Sequence, residues 1–332
     1  MSKIRKLMAG AIAAMALTAV AGSMVHADDV IKWKLATNIV ETTKTGEAFA
    51  EFSEKIKEAT GGKLEIDNFY GGQLGAEADM MANCQEGSVA IVQMSFSLLA
   101  QFNSAYNVMD LPFLFDNKEH FDRFRETDEC KALLESFSEN GLWVHDIYLM
   151  GYRYPNMVKK PITAPEDFEG VIFRVMDNPV QMATLEALGA TPITVPYSDV
   201  YNALQSGVAE GWSCDCSGYI TTSSYEVAKY ISTIPLFAVA NGIIVSEKAV
   251  EELPDDIRDI VKQTIQEEFP KVMDQMWEEN IDQLQQCADA GCEVNDVEDT
   301  AAFIEKVKPV WDDIAAEYDG VSELLEAIDG VR

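Results

Sequence analysis

Histidine is nearly absent, with three in 332 residues. Beyond the leader only His120 and His145 remain, neither in a His-Glu-x-x-His pair nor near a cysteine at a zinc-like spacing. Basic residues are scarce too: Lys and Arg total 25 against 56 Asp and Glu, a formal net charge of −31. A nucleic-acid binder needs a basic face, so that class is excluded. An anionic ligand would need a locally positive pocket in such a chain. The dinucleotide fingerprint is missing, because Gly71 to Gly75 lacks the Gly-x-Gly-x-x-Gly spacing. Thr60-Gly61-Gly62-Lys63 lacks both the upstream glycine and the following Ser or Thr of a phosphate loop. No Gly-x-Ser-x-Gly occurs, and no carboxylate pair stands out by pattern. An enzyme reading has little support, and no cofactor or metal is expected.

Long apolar runs are also rare. The one near the start, Leu7 to Val20, follows Lys3, Arg5 and Lys6 and precedes Val25-His26-Ala27. This is the pattern of a secretory signal peptide over 1–27 with cleavage near Ala27. The run is too short for a comfortable membrane span of ~20 apolar residues. The mature chain, 28–332, is therefore expected to be soluble and exported, without direct membrane insertion. Its length favours two lobes over one domain. All six cysteines lie after the leader, where an oxidising compartment permits disulfides without requiring them.

What is present reads as α/β. A strand at 30–37 alternates around Ile31, Trp33 and Leu35; a helix at 43–59 carries the stripe Ala48, Phe49, Phe52 and Ile56. A strand at 63–70, a helix at 76–85 and a strand at 88–94 continue the alternation, which argues for a parallel sheet. The rhythm returns as strand 171–175, helix 179–188, strand 192–195, helix 198–205 and strand 208–213. A helical stretch at 254–290 starts with Pro254, Asp255 and Asp256, which suit a positive helix start. Pro270 should kink it. Its stripe exceeds the needs of one lobe, so it reads as a helix crossing both, against two shorter helices packed on one.

The stretch Gly211-Trp212-Ser213-Cys214-Asp215-Cys216-Ser217-Gly218 places two thiols one residue apart. On a strand through 216 their Cα atoms would be about 6.6 Å apart with parallel side chains, which disfavours a disulfide. Partner ligands for a metal are missing, so small buried apolar roles are expected. Cys287 and Cys292 flank a turn at Gly291, which leaves open a disulfide or two free thiols. Cys84 and Cys130 are expected on helices as core residues.

Ordered motifs then accumulate. They include Gly71-Gly72-Gln73-Leu74-Gly75, Asp110-Leu111-Pro112-Phe113, Gly151-Tyr152-Arg153, Pro165-Glu166-Asp167-Phe168-Glu169-Gly170 and Phe173-Arg174-Val175. Val195-Pro196-Tyr197-Ser198-Asp199-Val200-Tyr201 and Ala203-Leu204-Gln205-Ser206-Gly207-Val208-Ala209-Glu210-Gly211 follow. Together they resemble the solute-binding subunits of TRAP (tripartite ATP-independent periplasmic) transporters, over essentially the whole mature chain.

The resemblance implies a two-lobed, periplasmic-binding-protein-like α/β fold with a long helix spanning both lobes and a ligand cleft between them. It implies lobes of roughly 28–150 with 239–278, and 151–238 with 279–332. It implies capture of a small organic anion and delivery to a membrane permease. Arg174 is the implied carboxylate clamp; a guanidinium offers parallel donors and stays charged. Arg153 is second, and Gln73, Ser95, Phe96, Met176, Asn178, Trp212 and Asn241 are further pocket candidates. The chain departs from the family where Gln-Glu-Asn-Pro often follows Gly211: Cys214 replaces the asparagine, a poor donor instead of an amide. It also lacks an arginine near Ala78. The ligand's far end is then less polar, or is read by Trp212, Ser213 or Asp215. Two alternatives stand beside a carboxylate receptor: a sulfonate receptor of the same type, and an exported thiol enzyme using Cys214 or Cys216.

Overall fold

The computed structural model describes residues 30–332, so the leader and its cleavage position lie outside the described residues. The first lobe opens with β1 (Ile31–Thr37), α1 (Lys44–Ala59), β2 (Leu64–Phe69), α2 (Glu77–Gln85) and β3 (Ile91–Ser95). Helices α3 (Lys118–Arg125) and α4 (Asp128–Glu135) follow, then β4 (Leu142–Val144) and β5 (Tyr148–Met157). The second alternating set is β6 (Ile172–Val175), α5 (Pro179–Ala187), β7 (Thr191–Thr194), α6 (Val200–Ser206), β8 (Gly211–Cys214) and α7 (Cys216–Thr221). The chain ends with β9 (Tyr230–Ser232), β10 (Phe237–Ser246), α8 (Glu247–Glu251), α9 (Asp255–Asp289), β11 (Glu293–Asn295), α10 (Ala301–Glu317) and α11 (Val321–Gly330). Among the described residues no helix is long and apolar enough to cross a membrane.

The strands run in the order β2-β1-β3-β10-β5-β8-β6-β7. β1 pairs in parallel with β2 and β3, and β6 in parallel with β7 and β8, as alternation with helices demands. The sheet is nevertheless mixed, where the sequence pattern suggested a parallel one. β10 runs antiparallel to β3 and to β5, and β5 antiparallel to β8. Those partners are far apart in sequence, so no local periodicity reports their direction. β5 and β10 each span 10 residues and join the two halves. All of β10 is buried, and its register with β5 shifts between Val239 and Ala240.

Helix α9 is one element of 35 residues, and Pro270 lies inside it. Tertiary packing holds it through the position where the missing N–H favours a break. Its N-terminal half packs on α1, with Phe269 set against Phe49 and Phe52 at centroid distances of 6.2 and 5.8 Å. Its C-terminal half reaches the second lobe, where Cys287 joins a cluster with Trp212, Cys214, Cys216 and Tyr219. Two adjacent buried side chains hold it astride the junction. Glu279 accepts from the backbone N–H of Thr45 at 2.8 Å and from its hydroxyl at 2.6 Å, securing the start of α1. Asn280 donates to Asp215 at 2.8 Å, securing the start of α7. Gly151 on β5 leaves room for Asn280, since a Cβ there would lie 2.9 Å from its Oδ1.

Candidate functional site

A cleft with a cavity volume of about 60 Å³, partly open to solvent, lies where the strand ends of both lobes converge. Open α/β sheets bind ligands at such carboxyl ends. Asn38 follows β1, Ser95 ends β3, Met176 follows β6, and Cys214 ends β8; all four line the cleft. Arg153, Arg174, Asp215 and Asn241 line it too.

Arg174 is 3% exposed. Its Nε donates to the carbonyl of Val195 at 2.9 Å, and its guanidinium lies 5.8 Å from the Trp212 ring centroid. Among the described residues its two terminal nitrogens have no hydrogen-bond partner. Burial, and then the neighbouring Arg153, lower its pKa to about 10, which leaves it charged at neutral pH. A buried cation held on one side and open on the other offers charged donors to the cleft.

Arg153 stands beside it and is braced by protein. Its Nη2 lies 3.1 Å from the Ser95 hydroxyl and 3.1 Å from the Met176 sulfur, and its Nη1 is 4.0 Å from the Cys214 sulfur. Asp215 is likewise engaged. It caps α7, accepting from the Ser217 N–H at 3.0 Å, from the Ser217 hydroxyl and from Asn280 at 2.8 Å, and it takes the Cys214 thiol at 3.3 Å. Asn241 accepts from Gln93 at 2.7 Å, and Gln93 accepts from Thr37.

Four of the sequence candidates lie away from the cleft wall. Gln73 is exposed on the turn before α2. Phe96 is fully buried in the first-lobe core. Asn178 caps α5 through the Gln181 N–H at 3.0 Å and donates to the buried Asp110 at 3.0 Å. Trp212 sits behind Arg174, fully buried, with its N–H donated to Asn156 at 3.0 Å and its ring against Tyr197 and Tyr219. Sequence reasoning missed Asn38, Glu77, Gln93, Tyr197, Ser217 and Thr221, which do line the cleft.

The cysteine stretch also differs from its reading as a strand through 216. β8 ends at Cys214, and Asp215 starts a helix, so Cys216 does not share a strand face with Trp212 and Cys214. All six cysteines are free and buried, including Cys287 and Cys292. Burial pushes the Cys214 thiol well above its ordinary range, with the Asp215 charge adding to it. Cys216 is raised by the same two causes. Nucleophilic cysteines need the opposite shift, so the thiol-enzyme alternative loses its physical basis. Among the described residues no cluster of His, Cys, Asp and Glu is arranged to hold a metal ion.

Known proteins share the sequence pattern and the fold. Residues 35–318 match the sequence profile of DctP, bacterial extracellular solute-binding protein family 7. The chain is 29% identical over 334 residues to a solute-binding protein of Sulfitobacter sp. NAS-14.1, covering 98% of both. It is 27% identical over 318 residues to a C4-dicarboxylate-binding periplasmic protein of Rhodobacter capsulatus, covering 94% of both. The crystal structure of a TRAP periplasmic solute-binding protein from Sulfitobacter sp. NAS-14.1 with bound β-D-galacturonate matches with a TM-score of 0.85 at 26% identity. That match covers 90% of this chain and 99% of the other. The chain belongs to the DctP family of bacterial extracellular solute-binding proteins and has the two-lobed fold of the TRAP periplasmic receptors.

Proposed function

We propose that this protein is a periplasmic receptor that captures a small organic acid by its carboxylate at Arg174 and delivers it to a TRAP-type membrane permease. Residues 1–27 act as the export signal. The lobes comprise 28–150 with 239–278, and 151–238 with 279–332. The anion docks on the second lobe, the halves bend together about β5 and β10, and the closed form is what the permease recognises. No bond is made or broken, so the protein is a carrier and not an enzyme.

The observation that carries the reading is the pair of unengaged terminal nitrogens of a buried Arg174 on the cleft wall. Relatives that bind a C4-dicarboxylate and β-D-galacturonate support the carboxylate class over a sulfonate. Two charged hydrogen bonds at roughly 1.5–3 kcal/mol each set the scale. Arg174→Ala should weaken binding of the cognate acid at least ~100-fold by calorimetry. Its fold should persist, because removing a buried cation relieves its repulsion with Arg153. Cognate acid at ~100 times its wild-type Kd should stabilise the wild type by about 2.7 kcal/mol and the variant by about 0.4 kcal/mol or less. Unchanged affinity in Arg174→Ala would refute the clamp.

A further inference from the structure

The cleft contains a carboxylate that the anion clamp does not explain. Glu77, the first residue of α2, lines it from the first lobe. Its Oε1 accepts from Asn38 at 3.0 Å, and among the described residues its Oε2 has no partner. Burial raises its pKa above the ordinary carboxylate value, and the charges of Arg153 and Arg174 across the cleft oppose that rise. Asp215, the other carboxylate on the wall, is held by Ser217, Asn280 and Cys214. Glu77 is therefore the free acceptor opposite the arginines.

The donors of the first-lobe wall are engaged within the protein. Asn38 gives its amide to Glu77, and Gln93 gives its amide to Asn241. The amide of Asn241 is turned toward the Met150 sulfur at 3.6 Å. A ligand lying between the lobes thus meets donors at Arg174 and an unengaged acceptor at Glu77. A second carboxylate at the far end would meet a like charge in a partly desolvated gap.

We propose that Glu77 selects the ligand class: the cleft takes a monocarboxylate whose far end carries a hydroxyl or protonated-nitrogen donor, and it discriminates against dicarboxylates. This rests on Arg174 holding the carboxylate. Hydroxyl and ammonium share the donor chemistry, and the response to charge removal at Glu77 tells them apart. Glutamine keeps an acceptor but loses the charge, so it costs an ammonium ligand more than a hydroxylated one.

Calorimetry on the full mature protein tests this with two size-matched series. One is 4-hydroxybutyrate, 4-aminobutyrate and succinate; the other is D-galacturonate against galactarate. In at least one series the wild type should bind the donor-ended acid at least 10-fold more tightly than the dicarboxylate, and Glu77→Gln should narrow that ratio to about 3-fold or less. Tighter wild-type binding of 4-aminobutyrate than of 4-hydroxybutyrate, with a loss of 10-fold or more in Glu77→Gln, would assign the ammonium class; tighter wild-type binding of 4-hydroxybutyrate, with a loss below 10-fold, would assign the hydroxyl class. Dicarboxylates that bind the wild type as tightly as their donor-ended partners, in an Arg174-dependent manner, would overturn the proposal and leave the carboxylate receptor standing. So would a ratio unchanged by Glu77→Gln. Binding of none of these acids, with or without Arg174, would overturn both. The wild-type ratio decides the matter even if the variant folds poorly.

Discussion

Replacing Trp212 by Phe separates a supporting wall from a ligand contact. The indole is fully buried, donates to Asn156 at 3.0 Å, packs on Tyr197 and Tyr219, and backs the Arg174 guanidinium at 5.8 Å. Phenylalanine keeps one ring and removes the other together with its N–H. A partial cavity costs on the order of 1–2 kcal/mol. The lost hydrogen bond adds about 1 kcal/mol. The second cost stays small because Asn156 Oδ1 retains Ser224 at 3.4 Å and its amide still donates to Ala228 at 2.8 Å. The sum is roughly 2–3 kcal/mol of stability, readable as a lower urea midpoint with an unchanged slope. Affinity should fall far less, because only the cation–π support of Arg174 is weakened, at about 1 kcal/mol or fivefold. Urea unfolding and calorimetry on the same preparations give both numbers. A stability change under about 0.5 kcal/mol with a loss of affinity beyond ~100-fold would place the indole against the ligand and refute this arrangement.

Two further tests address charge and thiols. Asp167 loses some ionisation to burial but is held at about 2 by Lys160 and by the N–H and hydroxyl of Thr163 and the N–H of Ala164. Its folded value lies below the unfolded one, so its contribution is present above about pH 4 and is lost as pH falls through 2. Asp167→Ala should therefore cost on the order of 2 kcal/mol at pH 7 and much less at pH 2.5; an equal cost at both would refute the linkage. Iodoacetamide at pH 7.5 should label none of the six cysteines rapidly in the native protein and all six in urea. Two thiols that stay unlabelled in urea without reductant would reveal a disulfide.

Much of the fold was legible because local signals governed it. The Thr43 hydroxyl caps α1 at the Gly46 N–H, and β1, α1, β2 and α2 begin and end within a residue of the pattern reading. β3 starts three residues later than expected, since Ser88, Val89 and Ala90 belong to the turn and its return. Apolar content alone does not separate a buried turn from a strand. Cys216 was misplaced because nothing in a short apolar run marks where β8 yields to α7; the signal was Asp215, a strong N-cap residue. Arg174 and Arg153 reach the cleft through a family resemblance and not through spacing. The missed lining residues carried a physical signal: Asn38 stands one position past β1 and Glu77 opens α2, the rim where such sheets bind. Direction of pairing stayed hidden, as β5 and β10 meet across more than eighty residues of chain.

Those two strands bear on how the protein can be cut, copied or rearranged. The positions 150/151 and 238/239 fall inside β5 and β10, not in linkers. A nick there would sever the ladder in both halves at once, so neither lobe can be excised as an independent folding module. Limited proteolysis should yield no lobe-sized fragment, and chimeras that exchange one lobe for a relative's would have to exchange strands with it. With both crossings continuous, the protein should unfold as one cooperative unit, and an opening between the halves would have to bend a continuous β-ribbon.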